Sequence, residues 1–186
     1  VDFWARCIGN PGNYRGVMSH NWYGDNYTRR TGWNCYANSG NFWEFNIADG
    51  ADFAGVVGPA VVLGDWIHLA CTYDGLRMVL YANGLSVGTN VTGFQPNTNS
   101  AAVLRIGAAT PWDATWQSYF PGDLDEVALF DRALSAGEIA RRYEVARNGK
   151  VAGTQNFSGL IRTDLQGAML GRNSSVYCRF PFTLTN

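Results

Sequence analysis

The chain has 186 residues, of which 46% are hydrophobic and 14% are aromatic, and its formal net charge is -1. This length suits one domain with a sizeable core. The charge offers no electrostatic surface for nucleic acid, and no apolar run approaches the ~20 residues of a membrane-spanning helix. We therefore expect neither nucleic-acid binding nor membrane insertion.

Short apolar and aromatic runs, separated by many of the 22 glycines, indicate an all-β chain. The predicted strands, in chain order, are Val1–Ile8, Gly16–Trp22, Gly32–Ala37, Phe42–Ala48, Ala60–Leu63, Trp66–Tyr73, Arg77–Ala82, Leu85–Val91, Val103–Gly107 and Asp125–Phe130. Several alternate with period two; Leu69 and Cys71, for example, share one face of their strand, and His68 and Ala70 share the other. Such alternation predicts antiparallel sheets packed as a sandwich.

One helix is predicted after the last of these strands. Ser135 and Glu138 have the S-x-x-E spacing of a capping box. Leu134 and Ile139 are placed to form the hydrophobic staple of the same helix start. We expect a short surface helix with one packed face.

The character of the sequence changes after Ala146. Residues 147–186 begin with the polar, Gly-rich "RNGKVAGTQNFSG", which is typical of a linker, and then resume apolar periodicity, with Val176–Leu184 predicted as a strand. That segment cannot bury both of its faces alone, so we expect it to dock on the sandwich or to begin a following β-domain. The strand-like opening "VDFWARC" leads us to expect a piece of a longer protein.

The four cysteines lie far apart in the sequence: Cys7, Cys35, Cys71 and Cys178. No C-x-x-C pair is present, which argues against a zinc site of ordinary spacing. Cys71 takes an apolar strand position, which predicts a buried free thiol. A disulfide is the alternative, for which the sequence selects no partners. The neighbouring His68 is isolated from other catalytic residue types and is predicted to be structural.

Four motifs occur in order at the separations found in the laminin-G-like, concanavalin A-like jelly rolls, which this sequence resembles. They lie in "WIHLACTYDGLRMVLYANGLSVG" and "FPGDLDEVALFDRALSAGEIARRY", at Trp66–Gly75, Leu80–Gly84, Gly122–Val127 and Leu134–Ile139. The resemblance covers residues 1–146 and implies a jelly-roll sandwich followed by a short C-terminal helix. The family usually has a further strand before "VDFWARC", often with an Asp-Gly pair near its calcium site, and we expect that strand to be missing here.

The stretch "FPGDLDEVALFDRALSAGEI" concentrates the carboxylates Asp123, Asp125, Glu126 and Asp131. Retaining glycoside hydrolases of the laminarinase type, which share this fold, place two carboxylates on one face of a strand. Here no carboxylate follows Glu126 at the required spacing before Asp131, and Glu44 stands alone in its strand. We therefore predict that the protein is not an enzyme.

Asp125 is predicted to point inward, in phase with Val127 and Leu129. An inward carboxylate is costly unless it is paired, hydrogen-bonded or bound to a cation. Calcium takes oxygen ligands from loops, and the resemblance implies that the matching Asp often serves a structural calcium ion. The alternative is that Asp125 accepts backbone N–H groups of the preceding loop. Glu126 and Asp131 are predicted to be exposed.

Aromatic and polar side chains concentrate between Asn21 and Phe45 and again between Thr110 and Phe120. Sugar binding needs flat apolar faces together with planar polar groups, and these residue types supply both. The predicted ligand-binding residues, which fall in turns or loops, are Trp22, Tyr23, Tyr27, Trp112 and Trp116. The alternative role is packing, to which we assign Trp43.

These observations predict a non-catalytic, lectin-like carbohydrate-binding module of a larger secreted or cell-surface bacterial protein. The expected partner is a glycan or an extracellular protein, and a calcium ion would hold the loop near Asp125. One alternative is a structural, adhesion or protein-interaction module that binds no sugar. A glycoside hydrolase of the laminarinase-like fold is the third interpretation.

Overall fold

The computed structural model describes residues 1–10, 12, 14–23, 30–97, 102–109 and 118–151. The chain divides into two compact units, Val1–Arg147 and Asn148–Asn186. The fold described below is that of the first unit. Residues 152–186 lie outside the described part, so the linker, the extension and the strand at Val176–Leu184 stay predictions.

The described residues form strands β1 to β12 and helix α1. Their bounds are β1 Asp2–Cys7, β2 Arg15–Tyr23, β3 Arg30–Ala37, β4 Phe42–Asp49, β5 Phe53–Ala60, β6 Trp66–Tyr73, β7 Arg77–Ala82, β8 Leu85–Val91, β9 Arg105–Ile106, β10 Ala108–Ala109, β11 Ser118–Tyr119, β12 Gly122–Ala128 and α1 Ala136–Val151. The predicted bounds of β6, β7 and β8 are confirmed without change. The predicted helix is confirmed as well.

Two sheets form the predicted β-sandwich of jelly-roll type. One has five strands in the order β12-β1-β6-β7-β8, and all of its neighbours are antiparallel. The other has seven strands in the order β10-β11-β2-β3-β4-β5, with β9 also paired to β2. Its neighbours are antiparallel except β11 and β2, which are parallel. Each sheet therefore has one inner face toward the core and one outer face.

The core fills the space between the two inner faces, because alternate side chains of each strand point inward. Its buried members include Phe3, Leu69, Cys71, Met78 and Leu80 from the five-stranded sheet and Met18, Cys35, Trp43, Phe45 and Ile47 from the seven-stranded sheet. The predicted core position of Trp43 is thus confirmed. Cys7, Cys35 and Cys71 are buried free thiols, whereas Cys178 lies outside the described residues.

Helix α1 packs against the outer face of the five-stranded sheet. The predicted capping box is present, since the Ser135 N–H donates to Glu138 Oε2 at 2.8 Å and the Glu138 N–H donates to Ser135 Oγ at 3.3 Å. Ile139 is fully buried and clusters with Leu134, Ala70 and Tyr81. This cluster fixes the helix on the sheet.

Strand β5 differs from the prediction, which puts no strand at Phe53–Ala60 and wrongly places one at Ala60–Leu63. β5 contains Gly55, Gly58 and Pro59, which weaken the sequence pattern of a strand. These residues are tolerated because β5 is an edge strand, with β4 as its neighbour. The strand predicted at Val103–Gly107 is also shorter than expected.

The prediction that Asp125 points inward is wrong. A bulge interrupts β12, where Glu126 has a φ of 51° and the register with β1 shifts. Leu124 and Val127 consequently pack against the core, and the two residues between them, Asp125 and Glu126, are both exposed. The predicted exposure of Glu126 is confirmed, whereas Leu129, which was expected to face inward, is exposed.

Candidate functional site

A buried carboxylate, Asp2, lies beside helix α1 on the outer face of the five-stranded sheet. Arg142 Nη2 donates to Asp2 Oδ1 at 3.0 Å, and His68 Nε2 lies 3.0 Å from Asp2 Oδ2. Burial raises the pKa of Asp2, but the hydrogen bonds from His68 and Arg142 outweigh burial and leave that pKa below its usual range. Asp2 is therefore a paired carboxylate that joins the sheet to the helix.

A cavity of about 400 Å³ lies beside this pair, with Phe130 and Val145 on its apolar side. Charged groups in its lining pair with one another; Arg132 Nη2, for example, lies 2.6 Å from Glu138 Oε1. The hydrogen bond from Arg132, with those from Ser135, lowers the pKa of Glu138 to about 2. Asp2 thus pairs with Arg142 and His68, and Arg132 pairs with Glu138, so this surface is organised as a structural joint between helix α1 and the sheet.

Three buried polar atoms of this joint lack a hydrogen-bond partner among the described residues: His68 Nδ1, Trp4 Nε1 and Arg142 Nε. The two rings are neighbours, with centroids 5.5 Å apart. When His68 Nε2 donates to Asp2 and the ring is neutral, Nδ1 is an acceptor, whereas the indole nitrogen is a donor. One bridging water satisfies such a donor and acceptor pair.

The outer face of the seven-stranded sheet carries a different set of polar groups. Residues that pair directly across antiparallel strands share a face. Asn34 pairs with Asn46, and Asn46 pairs with Gly55. Their chain neighbours Cys35 and Phe45 are in the core, so this set turns away from it. Ser19 pairs with Asn34 on the other side, and we call Ser19, Asn34, Asn46 and Gly55 the amide row.

A chain of hydrogen bonds fixes the orientation of the Asn46 amide. Asn46 Nδ2 donates to Tyr36 Oη, which donates to Glu44 Oε1 at 2.8 Å. Asn38 Nδ2 holds the other carboxylate oxygen of Glu44, also at 2.8 Å. The Oδ1 of Asn46 lies over Gly55, where an added Cβ would be only 2.2 Å away. Glycine at this position therefore leaves room for the amide oxygen.

Two acceptors of the amide row have no donor in the part of the chain that the structure describes. They are Asn34 Oδ1 and Asn46 Oδ1, and both atoms are buried. The Ser19 hydroxyl does not supply them, since it donates to the Ala108 carbonyl at 3.1 Å. A buried acceptor without a partner costs about 1–3 kcal/mol, and such groups are uncommon in native proteins. A donor that reaches these two oxygens, whether a water molecule or a ligand, would therefore gain hydrogen bonds that the described residues do not supply.

The sequence analysis did not identify the amide row as a site. A signal for it exists in β4, where Glu44 and Asn46 alternate with the core residues Trp43, Phe45 and Ile47. Polar residues at alternate positions indicate an outer face. Their alignment with Asn34 depends on the register between β3 and β4, which the sequence pattern does not give.

The predicted aromatic site is described only in small part. The backbones of Trp22 and Tyr23 end strand β2 and pair with Thr31 and Arg30. Three further predicted residues lie outside the described part of the chain, namely Tyr27, Trp112 and Trp116. The ligand-binding role of all five stays a prediction.

The surroundings of Asp125 do not test the predicted calcium ion. Asp125 Oδ1 accepts the N–H of Glu126 at 2.8 Å. Within the described ranges, no group of three or more His, Cys, Asp or Glu side chains is placed to hold a metal ion. Calcium takes six to eight oxygen ligands, which include backbone carbonyls as well as carboxylates. The calcium ion near Asp125 stays a prediction.

Comparison with known protein families matches residues 1–140 to the family described as "Concanavalin A-like lectin/glucanases superfamily". The chain therefore belongs to this superfamily, as the motifs predicted. None of the helices in the described residues has the length and apolar composition that crossing a membrane requires.

Solved structures share the fold. One is the CBM40 module of the IT-sialidase of Ruminococcus gnavus, at a TM-score of 0.60 and 15% identity, with 76% of this chain and 80% of that chain covered. Another is the SAP-like pentraxin of Limulus polyphemus, at a TM-score of 0.53 and 18% identity, with 75% and 66% covered. At these identities the likeness concerns the fold alone.

A curated relative matches in sequence over a shorter region. Pappalysin-1 of Mus musculus is 36% identical over 85 residues, which are 44% of this chain and 5% of pappalysin-1. The chain thus corresponds to a small part of that much longer protein.

Proposed function

We propose that the chain is a non-catalytic carbohydrate-binding module that uses the outer face of its seven-stranded sheet. One observation carries the proposal: Asn34 and Asn46 pair directly across neighbouring strands, and the Oδ1 atom of each has no donor among the described residues. Neighbouring acceptors suit a ligand with several hydrogen-bond donors, and sugar hydroxyls are such donors. The CBM40 module of similar fold, solved with α2,6 and α2,3 sialyllactose, supports this ligand class.

The predicted aromatic residues belong to the same proposal. Trp22 and Tyr23 follow Asn21 on β2, the strand that contributes Ser19 to the amide row. Aromatic faces would stack on the apolar side of a sugar ring, and the amides would accept its hydroxyl protons. Trp112 and Trp116 are further candidates for this stacking role.

The carboxylates support a non-catalytic role. A glycosidase needs one carboxylic acid with a raised pKa to protonate the leaving group. Among the described residues, the four carboxyl groups that show a shift, Asp2, Asp49, Asp74 and Glu138, all have lowered pKa values. Asp123 of the acidic cluster pairs with Arg6, whose Nη2 lies 2.6 Å from Asp123 Oδ2.

The setting of the module is also part of the proposal. The match to a twentieth of pappalysin-1 supports a module within a longer protein. The sequence resemblance favours a secreted or cell-surface bacterial protein. Its module would then bind a glycan outside the cell. If no glycan binds, a module for adhesion or protein interaction becomes the favoured function.

A glycan array that includes sialosides and β-glucans, followed by titration calorimetry, tests the function. We expect at least one glycan to bind, and we expect the Asn34→Ala/Asn46→Ala double variant to lose about tenfold or more in affinity. Gln95→Ala removes an exposed amide elsewhere on the chain and should leave the affinity unchanged. Trp22→Ala and Trp112→Ala test the stacking residues in the same way. Silence across the array would overturn the carbohydrate proposal.

A further inference from the structure

Two buried thiols from opposite sheets meet inside the core. Cys35 is on β3 of the seven-stranded sheet, and Cys71 is on β6 of the five-stranded sheet. Their side chains are almost completely buried, and the two Sγ atoms are 3.3 Å apart. A disulfide has an S–S distance of about 2.05 Å, so a further approach of only ~1.2 Å would join the two sulfur atoms.

The third described cysteine is not part of this pair. The Cys7 thiol is also buried, but it donates to the Gly9 carbonyl at 3.4 Å. The Cys35 thiol instead donates to Cys71 Sγ. Antibody domains are also β-sandwiches, and a disulfide joins their two sheets through the core. A disulfide in this position is therefore compatible with the architecture.

We propose that Cys35 and Cys71 form a disulfide bond that links the two sheets through the core when the chain folds in an oxidising compartment. The oxidant is a disulfide compound such as oxidised glutathione. One thiolate attacks it, forming a mixed disulfide and releasing one reduced thiol, and the second cysteine displaces the other. Two protein thiols are oxidised, one oxidant disulfide is reduced to two thiols, and these take up both protons. This inference does not depend on the sugar-binding proposal.

The surroundings of Cys71 set when the bond forms. Burial, together with the hydrogen bond from Cys35, raises the pKa of the Cys71 thiol well above its usual value. The thiolate is the reactive form in disulfide exchange, so exchange is slow once the core has closed. The bond should form during folding, and reduced protein that is already folded should oxidise far more slowly than protein that refolds in the same buffer.

Peptide mapping of protein refolded with oxidised glutathione tests the bond directly. Trypsin leaves both cysteines in one peptide, because no Lys or Arg occurs between Arg30 and Arg77, so a second cleavage after Glu44 is needed to separate them. We expect the two fragments to stay linked until a reductant is added, while Cys7 and Cys178 are alkylated. Cys7→Ala should keep the link, and Cys35→Ala should abolish it. Alkylation of both Cys35 and Cys71, or a link from either to another cysteine, would overturn the proposal.

Melting temperatures provide the second test and do not depend on the single-cysteine variants folding. Reduced wild-type protein should melt about 5–15 °C below oxidised protein, as expected for a native disulfide in a domain of this size. The Cys35→Val/Cys71→Ala variant, which keeps the core apolar, should show no response to reductant. Equal responses in both proteins, or no response in wild type, would contradict the bond.

Discussion

Both outer faces of the sandwich carry buried polar groups, but the two faces differ in how these groups are paired. On the five-stranded sheet, Asp2 meets Arg142 and His68, and helix α1 packs alongside. On the seven-stranded sheet, a chain of hydrogen bonds fixes Asn46, and its Oδ1 has no donor among the described residues, like that of Asn34.

This difference separates a structural surface from a candidate binding surface within one fold. Where opposite charges meet inside the protein, their removal should affect folding more than ligand binding. Asn34 Oδ1 and Asn46 Oδ1 are unpartnered acceptors that belong to no ion pair, so a donor that reaches them gains hydrogen bonds that the described residues do not make. Substitutions on the two faces should therefore change different properties: the free energy of unfolding on one face and the affinity for a ligand on the other.

Asp2→Ala should cost about 2–3 kcal/mol of unfolding free energy, because it leaves the buried His68 ring and the partly exposed Arg142 guanidinium without their partner. Urea unfolding measures this loss. The matched control is Asp123→Ala, which breaks a half-exposed pair with Arg6 and should cost about 1 kcal/mol or less. Equal losses in the two variants would contradict the account of the joint.

Gly55→Ala should weaken glycan binding by about tenfold, because the new Cβ occupies the space of Asn46 Oδ1 and turns this acceptor away. Calorimetry with a glycan from the array measures the change. Gly93→Ala is the matched control, since a Cβ at Gly93 meets nothing within 4 Å. If the two variants bind equally well, the amide row is not the binding surface.

Stability should fall at acid pH through Asp2, because its pKa in the folded state lies below its ordinary value of 3.8. A lowered carboxyl pKa contributes stability that is present above about pH 4 and is lost as the pH falls through the folded pKa. Urea unfolding of wild type and Asp2→Asn between pH 6 and 2 measures this difference. The gap between the two proteins should narrow at low pH, and a constant gap would exclude Asp2 as its source.

Asp125→Asn should change the unfolding free energy by less than about 0.5 kcal/mol, as expected for an exposed surface residue. Thermal melts with calcium and with EDTA check both the size of the change and its dependence on metal. A large loss in the variant, seen only when calcium is present, would restore the predicted calcium ion.

Local chemistry made part of the fold predictable. The β6–β7 turn has Asp74 Oδ1 accepting the N–H groups of Leu76 and Arg77, and the β7–β8 turn has positive φ angles at Asn83 and Gly84. These residue types specify turns on their own. The strands between them, with regular alternation, therefore match their predicted bounds.

Features set by non-local pairing were not predictable. The bulge at Glu126 depends on pairing with β1, more than a hundred residues earlier in the chain. The amide row depends on the registers that bring Asn34, Asn46 and Gly55 side by side. The approach of Cys35 to Cys71 depends on how the two sheets pack. Alternation within one strand assigns a residue to a face but does not identify its neighbours.

The side-chain amide resonances of Asn34 and Asn46, followed by NMR during titration with a glycan from the array, show whether the amide row is the binding surface. We expect both signals to shift as the glycan saturates the protein, while those of Gln95 and the ring of His68 stay in place. Shifts that concentrate around Asp2, His68 and Arg142, with the two Asn signals unmoved, would contradict this assignment and place the binding surface beside helix α1.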